Sequence, residues 1–111
     1  MLDVYRATNS LPSSEAYGLT SQVRRSAVSV PSNIVEGFER GSGKEFKHFL
    51  IIARASLAES QSQLLIARDL GYIAKGDFDK LADVSVEVHK MINALLKSIA
   101  TRQLATNKLK D

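Results

Sequence analysis

The sequence has no cysteine and no tryptophan, only two prolines, and no long uninterrupted run of apolar residues. The lack of cysteine excludes a disulfide framework, a thiolate metal site and a cysteine nucleophile, and it is typical of a reducing compartment. No apolar segment approaches the roughly 20 residues of a membrane-spanning helix, and the first residues lack the apolar core of a signal peptide. We therefore expect one cytoplasmic domain, spanning 1–111.

The charge is modest in total and uneven along the chain. The formal net charge is +3 and the sequence pI is about 9.3, which is below the level that marks a dedicated nucleic-acid-binding protein by charge alone. The stretch from Val88 to Lys110 holds five lysines and arginines and no acidic residue. This stretch has two interpretations, namely cations placed favourably near the C-terminus of a helix, or a patch that binds phosphate.

Apolar residues recur with helical spacing almost throughout, and no segment shows the alternation of a strand. The clearest helix has a start signal at Ser42, a capping residue with Glu45 three positions later, and an end signal at Gly71. Between these signals, apolar and small residues step by four and three positions. They are Phe46, Leu50, Ala53, Leu57, Ser60, Leu64 and Ala67.

The remaining helices follow from the same periodicity. Asp77 is a good N-cap for the last helix, whose apolar stripe is wide enough to require two neighbours, inside the subunit or between subunits. The first helix is too short to match its partners. We predict an all-α, antiparallel up-and-down four-helix bundle with a shortened first helix and a proline-kinked second helix. The expected helices span about 2–10, 19–39, 43–70 and 77–105.

Pro31 lies in the middle of the second apolar stripe. A proline there lacks an N–H and crowds the carbonyl of Ala27, so it predicts a kink. Ser29, Ser32 and Asn33 can bond the backbone groups that the kink frees. The polar residues of this helix can also tie it to the third helix, and the candidate structural positions are Ser29, Pro31, Asn33, Glu36 and Glu59.

Catalytic and metal motifs are incomplete in this sequence. The stretch GSGK at 41–44 has the wrong glycine spacing for a phosphate loop and follows a helix rather than a strand. Glu45 and His48 form half of a helical-bundle di-iron motif, but His89 has Val86 at the equivalent position. No serine has a recognisable base. We therefore expect no enzymatic activity, no cofactor and no metal.

Two long stretches, GLTSQVRRSAVSVPSNIVEGFERGSGKEFKHFL and IARASLAESQSQLLIARDLGYI, carry a specific combination of elements. These elements are Arg-Arg, Ser-x-Pro-x-Asn-Ile-x-Glu-Gly and Lys-Glu-Phe. In them the chain resembles the four-helix-bundle proteins encoded within intervening sequences of bacterial large-subunit ribosomal RNA genes. The resemblance implies assembly as a homopentamer around a central axis and a non-enzymatic link to RNA or another nucleic acid.

Two hypotheses for function follow. In the first, a homo-oligomer binds RNA or another nucleic acid through basic residues of the second helix and the loop after it, with a second basic patch on the last helix. The candidate residues are Arg24, Arg25, Arg40, Lys44 and Lys47, and then Lys97 and Arg102. In the second, the chain is a protein-interaction scaffold without nucleic-acid contact, and salt bridges to Glu36 or Glu59 occupy Arg24 and Arg25. A metal enzyme at Glu45 and His48 is a remote third interpretation.

Overall fold

Four α-helices and one 3₁₀ turn make up nearly all of the chain in the computed structural model, which describes residues 2–110. In chain order they are α1 (Leu2–Thr8), the 3₁₀ turn (Ser13–Glu15), α2 (Leu19–Glu39), α3 (Gly43–Asp69) and α4 (Lys75–Lys110). No strand occurs within the described range. The prediction of an all-α four-helix protein is therefore confirmed. Met1 and Asp111, which end the predicted domain, and the side chain of Lys110 lie outside the described residues.

The capping signals of α3 act as their residue types predict. Ser42 Oγ accepts a hydrogen bond from the backbone N–H of Glu45 at 3.2 Å. At the other end Gly71 has a φ of +78°, a conformation that glycine adopts without strain. The N–H of Gly71 donates to the carbonyl of Arg68, and the N–H of Tyr72 donates to that of Ala67, both at 2.9 Å. This pair of bonds is a Schellman motif, which satisfies carbonyls at the end of α3.

The predicted start of the last helix is wrong by about one half-turn. The backbone N–H of Phe78 donates to the carbonyl of Ala74 at 3.0 Å, so α4 begins at Lys75 and not after an N-cap at Asp77. Asp77 lies in the first turn instead. A carboxylate there interacts favourably with the positive end of the helix dipole, which explains why the residue looked like a start signal.

Pro31 lies inside α2, which extends as one helix from Leu19 to Glu39. The kink predicted at this proline stays a prediction, as does the up-and-down order of the helices.

α3 is the central element of the fold. α2 and α4 both pack against α3, and the short α1 contacts α2 and α4 at one end of the molecule. The molecule is elongated, with extents of 59 × 24 × 18 Å. α4 is the longest helix, with 36 residues, and its last turns are exposed.

The buried apolar residues form two clusters along α3. The cluster under α1 consists of Val4, Leu11, Val23, Ala27, Leu64, Ala67, Ile73 and Leu81. The other cluster consists of Val30, Leu50, Ala53, Leu57, Ile92 and Ile99, all of them from α2, α3 and α4. The two ends of the bundle are therefore covered differently.

An apolar groove of about 240 Å³ lies open between α2 and α4, with α3 as its floor. Val30 and Ile34 line it from α2, and Val84 and Met91 line it from α4. Because α1 has only seven residues, it covers part of the space between α2 and α4 and leaves the rest open as this groove. Val84 and Met91 are accordingly 43% and 48% exposed. One side of the wide apolar stripe of α4 thus packs against α3, and the other side lines the groove.

No helix within residues 2–110 combines the length and the apolar character that crossing a membrane requires.

Candidate nucleic-acid interface

Arg24 holds α1 against α2. Its Nε donates to Thr8 Oγ1 at 2.9 Å, and its Nη2 donates to Asn9 Oδ1 at 3.0 Å. Its guanidinium carbon lies 4.5 Å from the centre of the Tyr5 ring, a cation–π contact. The side chain is half-buried. Arg24 is therefore engaged within the chain, but with α1 rather than with Glu36 or Glu59.

A polar seam joins α2 to α3 near Pro31. Ser29 Oγ and Ser56 Oγ lie 2.8 Å apart, within hydrogen-bonding distance. Asn33 Nδ2 donates to the backbone carbonyl of Ser29 at 2.7 Å and to Ser29 Oγ at 2.8 Å. Ser29 and Asn33 thus act together, while Ser32 is exposed.

Glu59 reaches α2 through an intermediary that the sequence did not single out. Gln63 Nε2 donates to Glu59 Oε1 at 3.2 Å, and Ser26 Oγ donates to Gln63 Oε1 at 2.8 Å. Ser26 and Gln63 are both buried. The buried hydroxyl of Ser26 and the buried amide of Gln63 satisfy each other's hydrogen-bonding groups, and this bond helps to set the register of α2 against α3. The pair is recognisable only in the structure, because the two residues lie on different helices.

Gly37, the last residue of the Asn-Ile-x-Glu-Gly element, marks a close approach of α2 to α3. A Cβ at this position would lie 2.6 Å from Phe49 Cβ, closer than such atoms come in proteins. The glycine is therefore required by packing, since its φ is not positive. Sequence reasoning missed this role, although a glycine inside an apolar helical stripe is a signal of close approach.

Arg40 is paired at the end of α2. Its Nη2 lies 2.7 Å from Glu36 Oε1, and its guanidinium carbon lies 5.1 Å from the centre of the Phe49 ring. About half of each charged side chain is exposed. Glu36 therefore offsets part of the positive charge that Arg40 was predicted to offer to RNA.

A cleft lies beside the loop between α2 and α3, at the end of the bundle that α1 does not reach. We call it the loop cleft. Its lining residues are Phe38, Gly41, Ser42, Gly43, Phe46, Leu95, Ser98, Ile99, Arg102, Gln103, Thr106 and Asn107. Its volume is about 780 Å³. The lining combines aromatic rings, a guanidinium group and amide side chains.

Phe38 is the exposed aromatic residue of the loop cleft. Its side chain is 68% exposed, and its ring meets that of Phe46 edge-on at 6.0 Å. A phenylalanine of this exposure at the rim of a polar cleft offers a face for stacking. The edge-on contact with Phe46 restricts the ring's orientation.

Some residues of the two predicted basic patches lie at the same end of the bundle, and others do not. Arg102 lines the loop cleft, and the first residue of α3, Gly43, would place a Cβ 3.9 Å from Gln103 Nε2. Lys44 and Lys47, in the first turns of α3, are exposed at this same end. Lys97 precedes Arg102 by five residues, which places it about 140° around α4. Lys97 is therefore exposed on the opposite face.

Arg25 is exposed on α2, one position after Arg24 and about 100° around the helix. The Arg-Arg element therefore divides between a residue that holds α1 and one that faces solvent.

Glu45 and His48, the incomplete di-iron motif, are not joined by further metal-ligating groups among the described residues. The ring of His48 meets that of Phe49 edge-on at 5.5 Å. Among the described residues no group of three or more histidines and carboxylates could hold a metal ion. The absence of a metal and of an enzymatic activity both stay predictions.

Helices packed around α3, an open apolar groove and a cleft with aromatic and basic lining define a small helical-bundle protein with a candidate binding surface at one end. The family model of the 23S rRNA-intervening sequence protein matches residues 1–94. The chain belongs to this family, as the resemblance in its motifs predicts. No curated protein matches the chain. The family match includes Phe38 and the loop, whereas Arg102 and Gln103 lie after its end.

Proposed function

We propose that this protein is a cytoplasmic, non-enzymatic homo-oligomer that binds RNA, and that the loop cleft contacts the RNA. The observation that carries the proposal is an exposed aromatic ring, Phe38, in the same cleft as the guanidinium of Arg102. Single-stranded RNA is bound by stacking of bases on aromatic rings and by cationic contacts to phosphate. The cleft supplies both kinds of group.

The polar residues of the loop cleft fit the rest of a nucleotide. Gln103 and Asn107 have amide groups that can both donate to and accept from base edges, and Thr106 offers a hydroxyl. None of the described residues that line the cleft is a histidine or a carboxylate. This lining favours binding over acid–base chemistry, which is the basis for proposing a non-enzymatic role.

Assembly would strengthen a weak individual site. The resemblance implies five chains, and five copies with a net charge of +3 each carry about +15 in total. A strand that reaches several clefts at once gains avidity without any new contact. A pentamer of weakly basic chains can therefore bind RNA well even though one chain is below the usual charge of such proteins.

The test is binding of a fluorescent single-stranded RNA, followed by anisotropy as salt is raised. Arg102→Ala should weaken binding and reduce the salt slope by roughly 0.7 for each phosphate that the guanidinium neutralises. Phe38→Ala should weaken binding about fivefold or more, because stacking of one base contributes about 1–3 kcal/mol. Lys97→Ala removes the same charge from the opposite face of α4 and should leave binding nearly unchanged.

Two results would contradict the proposal. One is an affinity that is indifferent to salt, and the other is equal weakening by Arg102→Ala and Lys97→Ala. A protein-interaction scaffold without nucleic-acid contact is then the remaining function, and the exposed apolar surfaces of α2 and α4 favour it. A pull-down from lysate with and without nuclease separates the two, since partners of a scaffold would survive the nuclease.

A further inference from the structure

The apolar groove between α2 and α4 contains two buried serines. Ser60 lies on α3 and is 4% exposed, and Ser85 lies on α4 and is 9% exposed. Both residues line the groove together with Leu57, Leu64 and Val88. A hydroxyl in apolar surroundings is costly to bury unless it has a hydrogen-bond partner. The partners of these two serines therefore determine what the groove can hold.

Neither hydroxyl has a partner among the described residues. Ser26 and Ser56, which are also buried, bond to side chains across α2 and α3, whereas the hydroxyls of Ser60 and Ser85 bond to no described group. Every side-chain nitrogen and oxygen atom that is fully enclosed within the described residues has a hydrogen-bond partner. The oxygens of Ser60 and Ser85 are therefore not fully enclosed, and they open into the groove that their residues line.

The proline of α2 places a third polar group beside the groove. A proline has no N–H, so Pro31 cannot donate to the carbonyl of Ala27, as the residue four positions later in a helix normally does. Ala27 and Pro31 both line the groove. Each of the three helices around the groove thus contributes a group that can accept a hydrogen bond, and two of these groups can also donate one.

The size and the charge of the groove restrict its occupant. An apolar cavity of about 150 Å³ holds benzene, and the groove has a volume of about 240 Å³. In proportion, the groove has room for roughly ten non-hydrogen atoms. Asp3 is the only charged residue among the described residues that line it. Its carboxylate repels an anionic group, so the groove favours a neutral molecule.

We propose that the groove binds a small neutral alcohol whose apolar body has about eight carbon atoms, and that Ser60 and Ser85 hold its hydroxyl. A hydroxyl can accept from a serine and also donate to the carbonyl of Ala27, whereas a ketone can only accept. The apolar body covers Val84 and Met91, which are 43% and 48% exposed in the free protein. This site goes beyond the proposed function and does not depend on RNA binding.

NMR of isotope-labelled methionine methyl groups in the full chain tests the site, with n-octanol as the probe. The chain has two methionines, and Met91→Leu identifies the signal of Met91, which lines the groove. Added n-octanol should shift this signal to saturation. It should also raise the melting temperature, because a ligand that binds the folded state stabilises it. A Met91 signal that n-octanol does not shift overturns the proposal.

Two matched tryptophan variants test the location. Val84→Trp places a large ring in the groove and should abolish the saturable shift of the Met91 signal. Val86→Trp lies on another face of α4, at a position that is 48% exposed, and should leave n-octanol binding unchanged. Equal helicity shows that both variants fold. Equal binding of n-octanol by the two variants overturns the assignment to the groove.

Alanine variants test the two hydroxyls. Ser60→Ala and Ser85→Ala should each weaken n-octanol binding by about threefold to tenfold, because one hydrogen bond is lost. Neither should lower the melting temperature of the free protein, since neither hydroxyl has a partner there. Ser56→Ala, which breaks the bond with Ser29, is the matched control and should lower the melting temperature while n-octanol binding is retained. Unchanged n-octanol affinity in Ser60→Ala and Ser85→Ala overturns the proposed role of the serines.

Octanoate tests the preference for a neutral molecule. It has the same chain length as n-octanol and a carboxylate in place of the hydroxyl, and it should bind about threefold weaker or worse because of Asp3. Asp3→Asn should remove most of this difference and leave the affinity for n-octanol unchanged. Tighter binding of octanoate than of n-octanol by the wild-type protein overturns the assignment to a neutral alcohol.

The outcomes separate this site from the proposed function. Phe38→Ala, in the loop cleft, should weaken RNA binding and retain n-octanol binding. Val84→Trp should do the reverse. Loss of n-octanol binding in Phe38→Ala would place the alcohol in the loop cleft and overturn the groove site.

Discussion

The two ends of the bundle differ in what lies over α3 between α2 and α4. At the first end, which we call the α1 end, α1 covers the core, and Thr8 and Asn9 accept hydrogen bonds from Arg24. At the second, the loop end, the corresponding space is the loop cleft, and Phe38 stays exposed. The same central helix therefore supports a closed surface at one end and an open one at the other.

The difference shows how position decides the role of an arginine. Arg24 donates to two side chains at the end of α1 and contacts an aromatic ring, so its guanidinium is occupied within the chain. Arg102 lies on α4 in an open cleft lined with amides. Both belong to the predicted nucleic-acid-binding set. The structure supports a structural role for Arg24, and we propose RNA contact for Arg102.

The largest expected change tests the packing of α2 on α3, on which both ends depend. Gly37→Ala adds a methyl group 2.6 Å from Phe49 Cβ, which is attached to the backbone of α3 and cannot rotate away. Overpacking of this kind costs about 1–3 kcal/mol, and the better helix propensity of alanine offsets up to about 1 kcal/mol of it. We expect a lower free energy of unfolding in urea and a more exposed loop end.

The matched control for Gly37→Ala is Gly76→Ala. Gly76 lies in the first turn of α4, and a Cβ there meets nothing within 4 Å among the described residues. This variant should be neutral or stabilised by up to about 1 kcal/mol. If Gly37→Ala stabilises the protein as much as Gly76→Ala does, α2 and α3 must lie farther apart at Gly37. A Cβ at that position would then not come within 2.6 Å of Phe49 Cβ.

An intermediate change affects the α1 end alone. Arg24→Ala removes two hydrogen bonds from a charged donor and the contact with Tyr5, and it should destabilise the protein by about 1–2 kcal/mol. Amide hydrogen exchange should increase in α1 and stay unchanged around Phe46 and Leu50. Arg25→Ala, at an exposed neighbour, should change stability by less than about 0.5 kcal/mol. If Arg24→Ala instead speeds amide exchange equally at the α1 end and the loop end, the result would contradict a role of Arg24 confined to the α1 end.

The smallest change concerns the exposed ion pair at the loop end. Arg40→Ala breaks a pair with Glu36 whose side chains are about half exposed, so we expect a decrease in stability of only about 0.5 kcal/mol. The decrease should shrink in high salt because exposed charges are screened. A thermal melt at low and high salt measures both effects. A decrease as large as that of Arg24→Ala would show that the two arginines contribute equally to stability. It would contradict the proposed difference between the α1 end and the loop end.

The sequence allows the fold class to be predicted because its signals are local. Ser42 and Gly71 bound α3 by capping chemistry that acts within a few residues. Asp77 misled because an acid is favourable both as an N-cap and in the first turn. The family resemblance also came from contiguous residues, and the matched range of 1–94 bears it out.

The candidate site is harder to predict because its residues are distant in sequence. Phe38 and Arg102 are more than sixty positions apart and share a cleft only after α2 and α4 pack on α3. Lys97 and Arg102 are near in sequence and lie on opposite faces of α4. The partners of Arg24 lie in α1 and the turn after it, and periodicity does not show which helix a given face meets.

The measurement that tests the central claim most directly is ultraviolet crosslinking of the full chain to uridine-rich RNA, with the modified peptide located by mass spectrometry. Aromatic residues that stack on bases crosslink efficiently, and the protein has candidates at both ends. We predict a crosslink at Phe38 or Phe46, in the loop cleft, which competitor RNA and high salt abolish. A crosslink at Tyr17, which is fully exposed at the α1 end, with none at Phe38 or Phe46, would contradict RNA binding by the loop cleft.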